Sequence, residues 1–124
     1  MADAKKLVML MEDDPAARDA LGLLLADWGY DPLAAPDAAV AAAKLAGAQK
    51  PLFAVVTDFN LGRGPDGVAA ALTLIAQHPA ARVLVVSGSM RGKAAVEAKA
   101  AGFDYLSKPV RPEAIENWLD SLAP

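Results

Sequence analysis

The sequence predicts an α/β fold: one five-stranded parallel sheet with helices on both faces. Three observations predict it. Strand-like and helix-like segments alternate five times along the chain. Unbroken apolar runs such as Leu7–Met11 and Leu52–Val56 suit strands covered on both faces. Polar side chains collect just after the strands, on the side where open parallel sheets hold ligands.

Each element follows in order. Leu7-Val8-Met9-Leu10-Met11 reads as the first strand, stopped by Glu12-Asp13-Asp14-Pro15. Asp14 is the N-cap and Pro15 the first residue of a helix running to about Trp28. Ala17, Leu21, Leu24 and Trp28 recur at helical spacing as its buried stripe, and Gly29 ends it. Tyr30 to Ala34 is a short second strand. Asp37 caps an alanine-rich helix through Ala46, closed by Gly47. Leu52 to Thr57 is the third strand, with Asp58 at its C-terminal end. A glycine-rich loop, Leu61-Gly62-Arg63-Gly64-Pro65, leads to Asp66, which caps a helix to about Gln77. Arg82 to Val86 is the fourth strand, ending at Ser87. A helix covers roughly Lys93 to Ala101, stopped by Gly102. Phe103 to Leu106 is the last strand, just before Lys108-Pro109. Pro112 to about Leu122 is the last helix, with Ile115, Leu119 and Leu122 as its apolar stripe.

Composition sets the outer limits. A chain of 124 residues fits one domain, so residues 1–124 are read as a single unit. Hydrophobic residues make up 55 %, but 29 of them are alanine. The rest suffice for one core. The formal net charge is −3, which argues against a nucleic-acid-binding face. No apolar run is long enough for a membrane span. Met1 to Lys6 lacks the apolar stretch and cleavage site of a secretory signal, so the expected location is cytoplasmic. With no cysteine and one histidine, disulfide, thiolate and multi-histidine metal sites are excluded.

Polar groups mark four strand ends. Glu12 and Asp13 follow the first strand, Asp58 the third, Ser87 the fourth and Lys108 the fifth. Three carboxylates in one crevice repel one another unless a cation sits among them or one takes up a proton. Hard oxygen donors favour Mg²⁺, or a similar divalent such as Mn²⁺. One such ion and the Lys108 ammonium balance the three carboxylates. A phosphoryl group on one carboxylate makes the site negative again, and Ser87 and Lys108 offer donors for its oxygens.

This ordered set resembles the receiver domain of two-component response regulators. Glu12-Asp13, Asp58 after an apolar strand, Ser87-Gly88 and Lys108-Pro109 carry the likeness, which covers nearly the whole chain. It implies a flavodoxin-like (βα)5 fold with strand order 2-1-3-4-5, in a bacterial phosphorelay. It also implies the roles. Asp58 is the phosphoacceptor. Asp13 binds Mg²⁺ directly, Glu12 acts mostly through water, and the backbone carbonyl of Asn60 is a further ligand. Lys108 pairs with Asp58 and then with phosphoryl oxygens. Ser87 and Tyr105 form the switch, and the peptide bond before Pro109 is cis. The implied donor is a histidine kinase or a histidine phosphotransfer protein, and the implied output face is the fourth helix, fifth strand and fifth helix, which also serves homodimers. Asp27-Trp28-Gly29-Tyr30, Asp58-Phe59-Asn60-Leu61 and Lys108-Pro109-Val110 are most similar to receivers of hybrid histidine kinases.

Two departures concern the loop after Asp58. Relatives usually carry Met-Pro there, where this chain has Leu61-Gly62. One extra residue stands before the Asp66-Gly67 pair. Other readings are weaker. An aspartyl-phosphate phosphohydrolase usually has a second acid two residues after its nucleophile, and here that position is Asn60. The stretch from Gly88 to Ala94 has three residues between its glycines and Ala94 after its lysine, so it is not a nucleotide-binding P-loop. Asp14 is a helix cap rather than a metal ligand. His78, before Pro79 in a loop, is a surface residue, and Trp28 and Trp118 are helix-packing residues.

Overall fold

A computed structural model describes residues 5–88 and 92–122. Ser89, Met90 and Arg91, the middle of the glycine-flanked stretch rejected above, lie outside them, as does the Met1–Ala4 start. The elements alternate as β1 (Leu7–Met11), α1 (Pro15–Asp27), β2 (Asp31–Ala35), α2 (Ala38–Ala46), β3 (Leu52–Asp58), α3 (Gly67–Gln77), β4 (Arg82–Ser87), α4 (Lys93–Ala100), β5 (Asp104–Ser107) and α5 (Pro112–Ser121). All strand pairings are parallel, and the order across the sheet is β2-β1-β3-β4-β5.

Alternation along the strands splits the core in two. Met9, Met11, Val55, Val83 and Val85 face the layer that holds buried residues of α2, α3 and α4. Val8, Leu10, Val56, Leu84 and Val86 face Leu25 of α1 and Ile115 and Leu119 of α5. Both faces are therefore covered, which explains why β1 is buried at every position. The register slips once between β1 and β3, leaving Phe53 opposite no β1 residue. Its ring stacks on Tyr30 at 6.3 Å and carries the Lys6 ammonium 4.5 Å from its centroid.

Asp14, Asp37 and Asp66 each accept a hydrogen bond from the amide three residues on, at 2.8, 3.0 and 2.9 Å. These satisfy orphan donors at three helix starts. Strands β2 and β5 begin one residue later than their sequence pattern predicts. Tyr30 and Phe103 each follow a glycine of positive φ, and their amides return to the preceding helix, at Leu25 O and Ala98 O. An amide spent on closing a helix cannot enter a ladder.

The predicted stripe of α1 needs correction. Leu25 is the buried residue of this helix, flanked by half-buried Leu21 and Trp28. Leu24 is only half-buried and Ala17 is exposed. Leu21, Leu25 and Trp28 recur at i, i+4 and i+7 and form the face that meets the strands, while Ala17 and Leu24 sit one step round the helix and line a cavity beside Leu10 and Val56. Among the described residues, no helix is long and apolar enough to cross a membrane.

Candidate functional site

The site lies beyond the carboxyl ends of β1, β3, β4 and β5, where the strand order reverses between β1 and β3. Parallel register brings the strand ends level: Met11 pairs with Thr57, Asp58 with Val86, and Ser87 with Ser107. Asp58 and Ser87, the last residues of β3 and β4, and Glu12 and Lys108, just past β1 and β5, are thereby carried to the same crevice.

Three carboxylates meet there. Oxygens of Glu12, Asp13 and Asp58 all lie within 4.8 Å of one another. Lys108 Nζ stands 3.1 Å from Asp58 Oδ2. The Asp58 side chain is 12 % exposed and that of Lys108 43 %, so the acceptor is recessed and its cation sits at the mouth. The Asn60 amide also faces the Asp58 carboxylate, at 3.4 Å from Oδ1. Asp14 is not part of the cluster, since its carboxylate is spent on the cap of α1.

Electrostatics follow from the crowding. Burial, helped by repulsion from Asp58, holds the Glu12 carboxyl above its usual value, against the Asp14 amide and Lys108. Burial alone lowers the Lys108 ammonium. The Asp58 carboxylate outweighs it, with Glu12 and Asp13 adding, and the net shift is upward. Lysine thus stays charged as the partner of the acids. Three hard oxygen donors facing one ammonium fit a divalent cation bound through oxygen. This donor set suits Mg²⁺, and among the described residues no nitrogen or sulfur ligand joins the cluster.

Neighbours hold the acids in place. Arg18 Nη1 donates to the Glu12 carbonyl at 2.9 Å and lies 3.5 Å from that of Asp13. Thr57 is fully buried, and its hydroxyl donates to the Asp58 carbonyl at 2.8 Å. The Gly67 amide donates to Phe59 O at 2.7 Å. A side chain at Gly67 would overlap the Asp58 carbonyl, so only glycine permits this approach. Arg18, Thr57 and Gly67 escape a reading for strand-end chemistry because each acts on main chain. The Asp66-Gly67 pair was the one visible signal among them.

Ser87 is fully buried at the end of β4. Its carbonyl accepts from the Lys108 amide at 2.9 Å and from the Tyr105 hydroxyl at 3.2 Å. The half-buried Tyr105 is thereby tied to the strand end that leads to the site. The Lys108–Pro109 peptide bond is cis. Beside Asp58 and Lys108 a cavity of about 610 Å³ opens between α1 and the start of α5, lined by Leu10, Leu24, Val56 and Ile115.

Comparison with known proteins agrees with this arrangement. Residues 8–120 match the model of the response regulator receiver domain. A putative NtrX-like response regulator of Rickettsia bellii is 31 % identical over 104 residues, covering 82 % of this chain and 21 % of that protein. The chain thus spans about one fifth of the curated relatives it matches. A response regulator receiver protein from Pseudomonas putida superposes with a TM-score of 0.84 at 28 % identity, covering 98 % of this chain and all of that one. A Burkholderia pseudomallei response regulator, solved with a phosphorylated aspartic acid, a calcium ion and citrate, is 30 % identical with a TM-score of 0.79, covering 94 % of this chain and 68 % of that one. A flavodoxin-like sheet, acids and lysine at its strand ends, and a family match over nearly the full length converge: the chain belongs to the response regulator receiver domain family.

Proposed function

We propose that this receiver takes a phosphoryl group on Asp58 from a phosphohistidine, with Mg²⁺ bound by the acidic pair, and relays its charge to a partner or output domain. The observation that carries this reading is the convergence of Glu12, Asp13 and Lys108 on the recessed Asp58. In the step itself, an Asp58 oxygen attacks phosphorus and the phosphorus–nitrogen bond breaks. The imidazole nitrogen leaves with the bonding pair. Asp58 is the nucleophile, and positioning supplies most of the acceleration.

Asp13 would hold the ion directly, Glu12 mostly through water, and the Asn60 carbonyl would be a further ligand. A divalent ion held there would offset the charge of the acids and of the phosphoryl oxygens. Lys108 moves from the carboxylate to a phosphoryl oxygen, and the Ser87 hydroxyl donates to another. Tyr105, tied to the Ser87 carbonyl, carries that change toward α4, β5 and α5. Val96 stands 69 % exposed on α4, an apolar anchor for an output partner or a second copy on that face. The cavity between α1 and α5 leads to Asp58 and gives the donor histidine its approach. The domain's only catalysis is its own phosphorylation and dephosphorylation, carried out in the cytoplasm.

The test is phosphotransfer from a phosphorylated histidine phosphotransfer protein. The label passes to the wild type when Mg²⁺ is present and not to Asp58→Asn. Equal labelling of both proteins contradicts the assignment.

A further inference from the structure

The loop after Asp58 contains a glycine whose missing side chain the site uses. Gly62 has φ +77°, a left-handed conformation that proline, fixed near −65°, cannot adopt. The Met-Pro pair usual in relatives is therefore incompatible with the path taken by Leu61-Gly62. A Cβ added at Gly62 would lie 2.9 Å from Asp13 Oδ2 and 3.8 Å from its Cγ. The carboxylate of Asp13 thus rests against the bare Cα of Gly62. Two residues on, Gly64 has a similar φ of +68° and nothing within 4 Å of an added Cβ. The two glycines share the backbone constraint and differ in the contact.

We propose that Gly62 is a positioning residue for Asp13, and that the β3–α3 loop sets metal affinity through this seat. The inference rests on the reading of Glu12, Asp13 and Asp58 as the metal site. Beneath the acidic pair the main chain is held by Arg18, through the 2.9 Å bond to the Glu12 carbonyl. A push from a new Cβ is therefore absorbed by the exposed Asp13 carboxylate, which swings on its side-chain torsions. That relief costs the fold little and moves a ligand oxygen. Groups that orient metal ligands typically govern affinity in this way.

The experiment compares wild type, Gly62→Ala and Gly64→Ala by titration with Mn²⁺ alone, reading free Mn²⁺ by electron paramagnetic resonance, beside thermal melts without metal. Both variants place alanine at positive φ and lose a similar few degrees of melting temperature. Gly62→Ala binds Mn²⁺ about tenfold or more weakly, while Gly64→Ala stays within about twofold of wild type. Gly62→Asn, whose side chain tolerates the left-handed region, repeats the loss of affinity should the alanine variant not fold. Wild-type affinity in the Gly62 variants overturns the proposal and leaves the metal site standing. Equal weakening in Gly62→Ala and Gly64→Ala overturns it in favour of backbone strain. A wild type that holds no Mn²⁺ overturns the reading of the site, and the proposal with it.

Discussion

Lys108 and Glu12 answer the same crowding from opposite sides. Among the described residues Lys108 is the ammonium paired with Asp58, at 3.1 Å, and in the proposed transfer it would face the phosphoryl oxygens. Removing one such preorganised donor slows acyl-transfer enzymes by about 10²-fold or more. Lys108→Ala is therefore expected to slow phosphorylation of Asp58 by roughly 10²-fold. A rate within threefold of wild type contradicts its assigned role. Glu12 gives a pH-dependent prediction. Its carboxyl is raised above 4.5, first by burial and then by Asp58. A raised value in the folded state means that stability is full below 4.5 and is lost as pH climbs through the folded value. Glu12→Gln removes that loss. Without metal, the variant should melt about a few degrees above wild type near pH 7 and level with it near pH 4. Melting curves that coincide at both pH values contradict the upward shift of the Glu12 carboxyl.

At the scale of elements, the order, type and caps of the helices were legible because aspartates and apolar runs act locally. Asp66 illustrates this. Its carboxylate caps α3 at 2.9 Å, and Asp66→Ala is expected to cost about 1 kcal/mol by chemical denaturation. Less legible were features set by distant contacts. The strand starts shifted because the Tyr30 and Phe103 amides close helices, which apolar patterning does not encode. The α1 stripe turned because Leu25, not its neighbour Leu24, meets the strand residues of the core. Leu25→Ala should therefore cost roughly 2–5 kcal/mol, and Leu24→Ala clearly less. The reverse order would restore the stripe first read from spacing. Another distant tie is Tyr30, whose hydroxyl donates to Asp120 of α5 at 2.7 Å. Burial, with that carboxylate, pushes its phenol above the ordinary range. Likewise Trp118 Nε1 donates to Asp104 at 2.8 Å, binding α5 to β5. Tyr30 read as a strand residue and Trp118 as a packing residue, and their polar partners lie 90 and 14 residues away.

Across the whole molecule, the site is a consequence of topology. Parallel strands ending level bring residues 12, 13, 58, 87 and 108 to one edge of the sheet, although they span most of the chain. This is why strand-end position was informative where single motifs were not. The sequence pattern reached the side chains that meet here, while Arg18 and Thr57 act through main-chain atoms and left no pattern, and Gly62 showed only as a departure in the loop after Asp58. The central claim is that this edge accepts a phosphoryl group on Asp58 with a divalent cation. Intact mass after incubation with acetyl phosphate tests it most directly, with and without Mg²⁺ and with Asp58→Asn as control. The account predicts a gain of one phosphoryl group that requires Mg²⁺ and is absent from the variant. An adduct of the same size on Asp58→Asn, or one formed equally well without a divalent cation, would contradict it.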